Sequence, residues 1–285
     1  MASNQKFSGI EIYDKDIGLY LPEPLYIKPM SPGDITGGSL ALAIGIDNTP
    51  VEGRNVVDVG ANTGIGAIYS VLKGARLAYA LEIDAGKVRN AKENAIRNGV
   101  YYGKAPLVGN GDYLGVVPLE ADVFHILGDP DYDGVQYDAI KDWETSFREN
   151  QKNKPGVIFS NPDQRFWDGS EKHFKGDRSN DYNEDGFGFL RAIVEYSDEL
   201  GIVPEQFGFV VASWNYELIG PFSQEYGFEV SPLEISAVRV PVSQLAHFDR
   251  DTMDTIKGIE ESNGIERLFV GPEGNYVNAK QATQQ

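Results

Sequence analysis

A glycine-rich loop followed by an acidic residue is the stretch of this sequence whose residue types and spacing point to chemistry. The loop holds Gly60, Gly64 and Gly66, and Glu82 stands at the end of the next apolar run. Glycines let the backbone turn tightly and let a ligand approach it closely. An acid at the end of the following strand can accept hydrogen bonds from both ribose hydroxyls of an adenosine. The pattern therefore predicts a cofactor that contains adenosine.

The acid before the loop distinguishes between adenosine cofactors. Asp58 precedes Gly60, and the pattern Asp-x-Gly-x-x-x-Gly-x-Gly differs from the Gly-x-Gly-x-x-Gly of dinucleotide sites. A carboxylate here would repel a pyrophosphate but can hold a cationic amino group, directly or through water. Adenosine joined to a charged amino acid describes S-adenosylmethionine (SAM), which we predict as the cofactor. The simpler alternative is a set of ordinary turn glycines beside a solvated glutamate.

Two apolar runs and a helix are needed to position these residues. Val56–Val59 is short and β-branched, as a buried parallel strand should be, and Leu77–Leu81 is a second such strand. The helix between them is expected to be capped by Asn62 or Thr63 and to stop at Gly74. The order of strand, glycine loop, helix and strand predicts half of a nucleotide-binding α/β fold.

Less regular apolar segments predict the remaining strands. A third strand is expected around Pro106–Gly109, with Asp112 after it, and a fourth at Pro155–Ser160. Segments 227–230 and 233–240 are expected to form an antiparallel hairpin. Asp112 would then follow the third strand, at the carboxyl end where doubly wound folds bind ligands, or serve only as a turn residue.

Four sequence motifs carry a family resemblance. They are Val57–Gly66, Ala80–Asp84 with the trailing Asn94 and Asn98-Gly99, Ser160–Asp163, and Glu184–Phe187. They resemble motifs of the class I SAM-dependent methyltransferases, particularly the branch that includes the release-factor glutamine N-methyltransferases. The resemblance implies a Rossmann-like, doubly wound, seven-stranded α/β sheet with a final antiparallel hairpin. It also implies N-methylation of an amine on a small molecule or a protein side chain.

The resemblance also assigns residues. In that family the Asn and the first Pro of an Asn-Pro-Pro-Tyr motif bind the amine, and the final aromatic stacks on it; here Asp163 replaces the second Pro. The candidate catalytic residues are Asn161, Pro162, Asp163, Tyr182 and Ser213. The candidate cofactor-binding residues are Thr36, Asp58, Gly60, Asn62, Gly64, Glu82, Ile83, Asp112 and Asn161. Phe166 and Trp167 are assigned to a lid over the substrate, and no metal site is predicted.

The altered Asn-Pro-Asp motif leaves two other functions open. One is an enzyme that consumes SAM by intramolecular attack of its own amine, which would form azetidine-2-carboxylate and methylthioadenosine. The other is a non-catalytic SAM-binding module with a degenerate site.

Composition limits the partners and the setting. The chain has 285 residues, a net charge of −18, no cysteine and three histidines. These values argue against disulfides, metal clusters and nucleic acid binding. We expect a small-molecule or amine substrate, no nucleic acid or membrane partner, a possible homodimer and a cytoplasmic location. The predicted organisation is a lead-in (1–30), a methyltransferase-like domain (31–243) and a C-terminal appendage (244–285).

Overall fold

The computed structural model describes residues 11–12, 19–20, 25–30, 37–101, 115–121, 155–162, 187–199, 204–211, 219–230, 237–241, 258, 261–262, 266–270 and 276–277. The chain divides into two compact units. The first comprises Met1–Ile35, Ser39–Asn161 and Leu190–Val210, and the second comprises Thr36–Gly38, Pro162–Phe189 and Val211–Gln285. The division into lead-in, methyltransferase-like domain and appendage stays a prediction.

The structure describes strands and helices in both units. In chain order they are β1 (Glu11–Ile12), β2 (Leu19–Tyr20), β3 (Tyr26–Ile27), α1 (Gly37–Asp47), β4 (Asn55–Val59), α2 (Ile65–Leu72), β5 (Leu77–Glu82), α3 (Ala85–Arg97), β6 (Gly115–Glu120), β7 (Val157–Ser160), α4 (Gly188–Glu199), β8 (Gln206–Phe209), α5 (Ile219–Tyr226), β9 (Ala237–Pro241), β10 (Glu266–Val270) and β11 (Tyr276–Val277).

A parallel sheet of five described strands forms the centre of the first unit. The strands lie in the order β6-β5-β4-β7-β8, and every neighbouring pair is parallel. The chain moves outward from β4 through β5 to β6 and then returns to the other side of β4 for β7 and β8. This is the order of a doubly wound fold, and its ligand crevice lies at the carboxyl ends of the strands, where the direction of winding reverses.

The sequence of the central strands explains their burial. All five residues of β4 and all six of β5 are buried, as expected when helices cover both faces of a parallel sheet. Val56 and Ala80 of these strands, Ile68 and Tyr69 of α2, and Phe159 of β7 belong to one buried cluster. Gly74, with a left-handed φ of 95°, follows the end of α2, so the predicted helix stop is confirmed.

The third parallel strand lies later in the chain than predicted. Segment 106–109 is outside the described residues, and the strand beside β5 is β6, whose register pairs Leu77 with Gly115 and Glu82 with Glu120. Asp112 therefore precedes this strand instead of following it. Asp112 itself lies outside the described residues, and its contact with the cofactor stays a prediction.

The predicted final hairpin is not confirmed either. Phe228–Val230 has no strand structure, and β9 pairs in parallel with β10, which pairs antiparallel with β11. These three strands form a sheet of their own within the second unit. The seven-strand count of the main sheet also stays unconfirmed, since the structure describes five strands there.

Helix α3 buries small and polar residues in place of its larger apolar one. Ala91 and Ala95 are buried, but Ile96 is 53% exposed. Two asparagines, Asn90 and Asn94, take buried places on the helix instead. Buried amides need hydrogen-bond partners, and theirs are described below. In the part of the chain that the structure describes, no helix is long and apolar enough to cross a membrane.

Candidate cofactor site

The loop between β4 and α2 passes through three left-handed backbone positions. Gly60, Asn62 and Gly64 have φ values of 72°, 48° and 80°. Glycine adopts this region without steric cost, and asparagine tolerates it better than most residues. The amides of Gly60 and Ala61 both donate to the Leu81 carbonyl, at 2.9 Å each. The loop is thereby held against the end of β5.

Glu82 is fixed where that loop meets β5. The Asn62 amide donates to Glu82 Oε2 (2.9 Å), and the Asp84 amide donates to Glu82 Oε1 (3.1 Å). The residue is 7% exposed. An ionised carboxylate has about four lone-pair sites, so each oxygen can accept one more hydrogen bond. A rigid carboxylate with free acceptor capacity at a strand end suits two ribose hydroxyls, so this part of the site fits SAM.

Asp58 has a different position. It is 1% exposed, and its Oδ2 accepts a hydrogen bond from the Ala67 amide (3.0 Å). Because Ala67 lies in the first turn of α2, the Asp58 carboxylate caps that helix from strand β4. The N-cap residue itself is Gly64, which has no side chain to offer. The predicted caps, Asn62 and Thr63, are therefore wrong.

The surroundings of Asp58 favour its neutral form. Burial raises the pKa of this carboxyl from its ordinary value of 3.8 to about 7. The hydrogen bond from Ala67 opposes that rise, the negative charge of Glu82 adds to it, and a hydrogen bond from Gly66 opposes it again. Direct or water-mediated binding of the SAM amino group by Asp58 stays a prediction.

Other predicted residues lie at the same edge of the sheet. Ile83, next to Glu82, is 48% exposed. Asn161 and Pro162 follow β7 directly and are half-buried. The Ser160 hydroxyl donates to the Val59 carbonyl (2.8 Å) and joins the ends of β7 and β4. The structure thus brings the ends of β4, β5 and β7 together, as the sequence predicted.

Seven predicted site residues fall outside the described part of the chain. They are Thr36, Asp112, Asp163, Phe166, Trp167, Tyr182 and Ser213. Within the described residues, no group of acidic or histidine side chains is arranged to hold a metal ion.

Sequence reasoning missed some residues that build the site. Gly66 makes room for Asp58, because a Cβ on this glycine would lie 2.5 Å from Asp58 Oδ2. Asn94 donates to the Thr63 carbonyl in the loop (3.0 Å). Gly66 was visible as part of the loop pattern, but its spatial neighbour was not. For Asn94 the available signal was the recurrence of asparagine every fourth residue along α3.

The first unit combines a doubly wound parallel sheet, a glycine loop at its switch point and a fixed acid at the end of β5. This combination is typical of a Rossmann-like site for an adenosine cofactor. Residues 36–123 match the family model described as ribosomal protein L11 methyltransferase (PrmA). The ribosomal protein L11 methyltransferase of Exiguobacterium sp. is 36% identical over 118 residues, which cover 39% of this chain and 37% of that protein. That of Azotobacter vinelandii is 34% identical over 85 residues, which cover 30% of this chain and 29% of that protein. The chain thus spans well under half the length of these relatives.

Solved structures show similarity at lower identity. The ribosomal protein L11 methylase of Lactobacillus delbrueckii subsp. bulgaricus is 17% identical, with 73% of this chain and 77% of that chain covered and a TM-score of 0.39. A structure titled as a putative RNA methyltransferase from Pyrococcus horikoshii is 16% identical, with 72% and 74% covered and a TM-score of 0.38. These TM-scores are low, and the fold assignment rests on the strand order and directions of this chain.

The matches bear on the functional prediction. The similarity of this segment to ribosomal protein L11 methyltransferases agrees with the predicted SAM-dependent transferase, and because the chain spans well under half of these relatives, its activity and cofactor belong to the proposal below. The release-factor branch is not specifically supported, and neither is the cyclase or the non-catalytic SAM-binding module. The expected small-molecule substrate is wrong, since the matched family is named for a protein, ribosomal protein L11.

Proposed function

We propose that this chain is a SAM-dependent methyltransferase that N-methylates a protein substrate. The observation that carries the proposal is the carboxylate of Glu82, held by two backbone amides at the end of β5 beside the glycine loop. The similarity of residues 36–123 to ribosomal protein L11 methyltransferases supports the reaction and the class of substrate. We keep the cytoplasmic location as part of the proposal.

In this proposal the protein acts mainly by positioning. The sulfonium of bound SAM supplies an activated methyl group. Glu82 would accept hydrogen bonds from the ribose hydroxyls, and the loop Gly60–Gly64 would lie along the cofactor. Asn161 and the Pro162 carbonyl would accept the hydrogens of the substrate nitrogen and aim its lone pair. Alignment of this kind supplies a large part of the rate enhancement in two-substrate reactions.

The nitrogen target rests on the Asn161-Pro162 pair. This pair follows β7 at the carboxyl edge of the sheet and resembles the amine-binding motif of the release-factor glutamine N-methyltransferases. The side chain oxygen of an asparagine and a peptide carbonyl are both acceptors, so together they suit a nitrogen that carries hydrogens. Roles for Thr36, Asp163, Phe166, Trp167, Tyr182 and Ser213 remain predictions.

The charge of the chain supports a protein substrate of opposite sign. The net charge is −18. Proteins that bind ribosomal RNA need lysine and arginine to neutralise phosphates, so ribosomal proteins are generally basic. Opposite net charges speed the association of two proteins and favour the correct partner.

The test is transfer of a labelled methyl group. Purified protein is incubated with methyl-labelled SAM and separated ribosomal proteins, and the products are mapped by peptide mass spectrometry. We expect label on a nitrogen of one or a few ribosomal proteins, with S-adenosylhomocysteine formed in equal amount. Binding of SAM without transfer to any ribosomal protein, or release of methylthioadenosine in place of S-adenosylhomocysteine, would refute the proposal.

A further inference from the structure

Three asparagines, two within α3 and the third at its C-cap, bind the backbone of the lead-in at Tyr26 in β3 and at Lys28 just after this strand. Asn98 accepts from the Tyr26 amide (3.0 Å) and donates to the Tyr26 carbonyl (2.8 Å). One helical turn earlier, Asn94 accepts from the Lys28 amide and donates to the Lys28 carbonyl (3.0 and 3.2 Å). Asn90 also donates to the Lys28 carbonyl (3.1 Å).

The spacing of these contacts follows from geometry. Four residues of a helix rise about 6 Å, and two residues of an extended chain span about 6.6 Å. Side chains four apart along the helix therefore meet alternate residues of the extended segment 26–28. Each side chain amide offers one acceptor and two donors and so can substitute for the edge of a neighbouring strand. The contacts involve the main chain of β3, independent of its side chains.

Asn94 makes a contact to the cofactor loop that Asn98 does not, besides a hydrogen bond from its Nδ2 group to Asn90 Oδ1 (3.3 Å). Its Nδ2 group also donates to the carbonyl of Thr63 in the cofactor loop (3.0 Å). Asn94 and Thr63 are 0% and 1% exposed, so water cannot replace this hydrogen bond. Thr63 follows Asn62, the residue whose amide holds Glu82. A short chain of contacts therefore runs from Lys28 through Asn94 and the loop to the acid of the cofactor site.

We propose that Asn94 is a positioning residue that couples docking of β3 to the conformation of the SAM loop. The inference rests on the proposed function. Asn62 is held at a positive φ that most residues avoid, and such a conformation persists only where its surroundings fix it. A cofactor bound to Glu82 stabilises the loop, and an ordered loop presents the Thr63 carbonyl to Asn94. By linkage, docking of β3 then strengthens SAM binding to the same extent that SAM stabilises the docked strand.

Asn98 provides the matched control. It binds β3 in the same two-bond manner, and its third hydrogen bond goes to the Asn94 carbonyl within its own helix (2.8 Å). Substituting it removes a strand contact of the same kind and leaves the loop contact intact. A role in folding alone predicts a larger loss of stability for buried Asn94 than for part-exposed Asn98 and no change in how SAM affects exchange at Lys28, whereas the coupling predicts loss of that effect in Asn94→Ala only.

The experiment compares wild type, Asn94→Ala and Asn98→Ala by SAM affinity and by hydrogen exchange resolved to single amides. In wild type we expect saturating SAM to slow exchange of the Lys28 amide about fivefold or more, the lower end of typical couplings between sites. Asn94→Ala should weaken SAM binding by a similar factor and abolish that slowing. Asn98→Ala should speed exchange at Tyr26 and leave SAM affinity within about twofold.

The outcomes separate this inference from the proposed function. If wild type binds SAM and the Lys28 amide exchanges at the same rate with and without it, the coupling is absent, and this result needs no variant to fold. Equal loss of SAM affinity in both variants would also overturn the coupling. If wild type binds no SAM at all, the proposed function fails, and the inference fails with it.

Discussion

At the residue scale, two neighbouring carboxylates are given different tasks by their surroundings. Glu82 accepts hydrogen bonds from two loop amides and lies at the carboxyl edge of the sheet, where it can meet a ligand. Asp58 is buried, and its carboxylate accepts a hydrogen bond from an amide in the first turn of α2. Burial is the main cause of the raised pKa of the Asp58 carboxyl, and the negative charge of Glu82 adds to it. The surroundings of Asp58 therefore favour its neutral form.

A neutral replacement of Asp58 tests this assignment. Because the pKa of Asp58 is raised in the folded protein, its carboxyl keeps a proton at pH values above about 4, where the same group in the unfolded chain has released it. The stability that Asp58 contributes is therefore present below that pH and is lost as the pH rises to about 7. Asp58→Asn keeps an acceptor for Ala67 and has no proton to lose. We expect the variant to gain on the order of 4 kcal/mol relative to wild type between pH 4 and 8.

The measurement is urea unfolding of both proteins across that pH range. Subtracting the two free energies of unfolding removes the contribution of all other titrating groups. Parallel pH profiles for wild type and Asp58→Asn would show that Asp58 is ionised in the folded protein at the pH where it ionises in the unfolded chain. The cap would then be an ordinary carboxylate, and the assignment would be wrong.

Asn161 carries the second prediction at this scale. It follows β7 and is assigned to the substrate nitrogen, while Glu82 is assigned to the cofactor. Asn161→Ala should therefore lower kcat about 100-fold through misalignment of the nitrogen. Although the family resemblance also places Asn161 among the cofactor-binding residues, the hydrogen bonds to the ribose are assigned to Glu82, so the affinity for SAM should stay within about threefold. Steady-state kinetics and SAM titration measure the two values, and undiminished turnover would contradict the role.

At the scale of elements, the first turn of α2 depends on close approach to β4. A Cβ at Gly66 would lie 2.5 Å from Asp58 Oδ2, and the three atoms nearest to it all belong to that buried carboxylate. Gly66→Ala should destabilise the fold by about 1–3 kcal/mol, the usual cost of overpacking. Gly220 is the second residue of α5, as Gly66 is of α2, and a Cβ there meets nothing within 4 Å.

Gly220→Ala is therefore the control. It should leave stability unchanged or raise it by up to about 1 kcal/mol, because alanine loses less chain entropy in a helix. Urea unfolding measures both variants. Equal effects of the two substitutions would mean that the space beside Asp58 is not limiting, and that the helix cap is looser than its hydrogen bonds indicate.

The unit from β4 to β5 could be predicted because its signals are local. A β-branched run, a glycine loop and a glycine at the helix end act within a few residues of one another. The third strand could not be placed in this way. Two short apolar segments compete, near 107 and near 116, and Pro118 argues against the second. Proline is tolerated at a sheet edge, and β6 is the outermost described strand on its side, so pairing with β5 decided the outcome.

The site residues also divide into those set by local sequence signals and those set by partners distant in the chain. Glu82 and the loop glycines follow from spacing along the chain. The cap on α2 and the burial of Asn94 do not, because each depends on a partner from another element, β4 in one case and β3 in the other. Residue preference favoured Asn62 or Thr63 as the cap of α2, but Gly64, in a left-handed conformation, occupies the N-cap position.

At the scale of the whole molecule, the charge of −18 sets the approach of a protein substrate. With a basic ribosomal protein as substrate, kcat/KM should fall about tenfold as salt is raised from low to several hundred millimolar, since screening removes long-range attraction. SAM affinity should change less, because Glu82 is buried and buried charges are screened weakly. Initial rates and SAM titrations at several salt concentrations give both values. A rate independent of salt would argue against a basic substrate.

The central claim is that the loop and Glu82 form a SAM site. It is tested most directly by calorimetric titration of SAM into wild type, Glu82→Gln and Glu93→Gln. Glu93 lies exposed on α3 and controls for the loss of one negative charge. We predict one SAM per chain in wild type and in Glu93→Gln, with affinity about tenfold or more weaker in Glu82→Gln, as expected for a lost hydrogen bond to a charged group. Equal affinities in all three proteins, or no binding by wild type, would contradict the account.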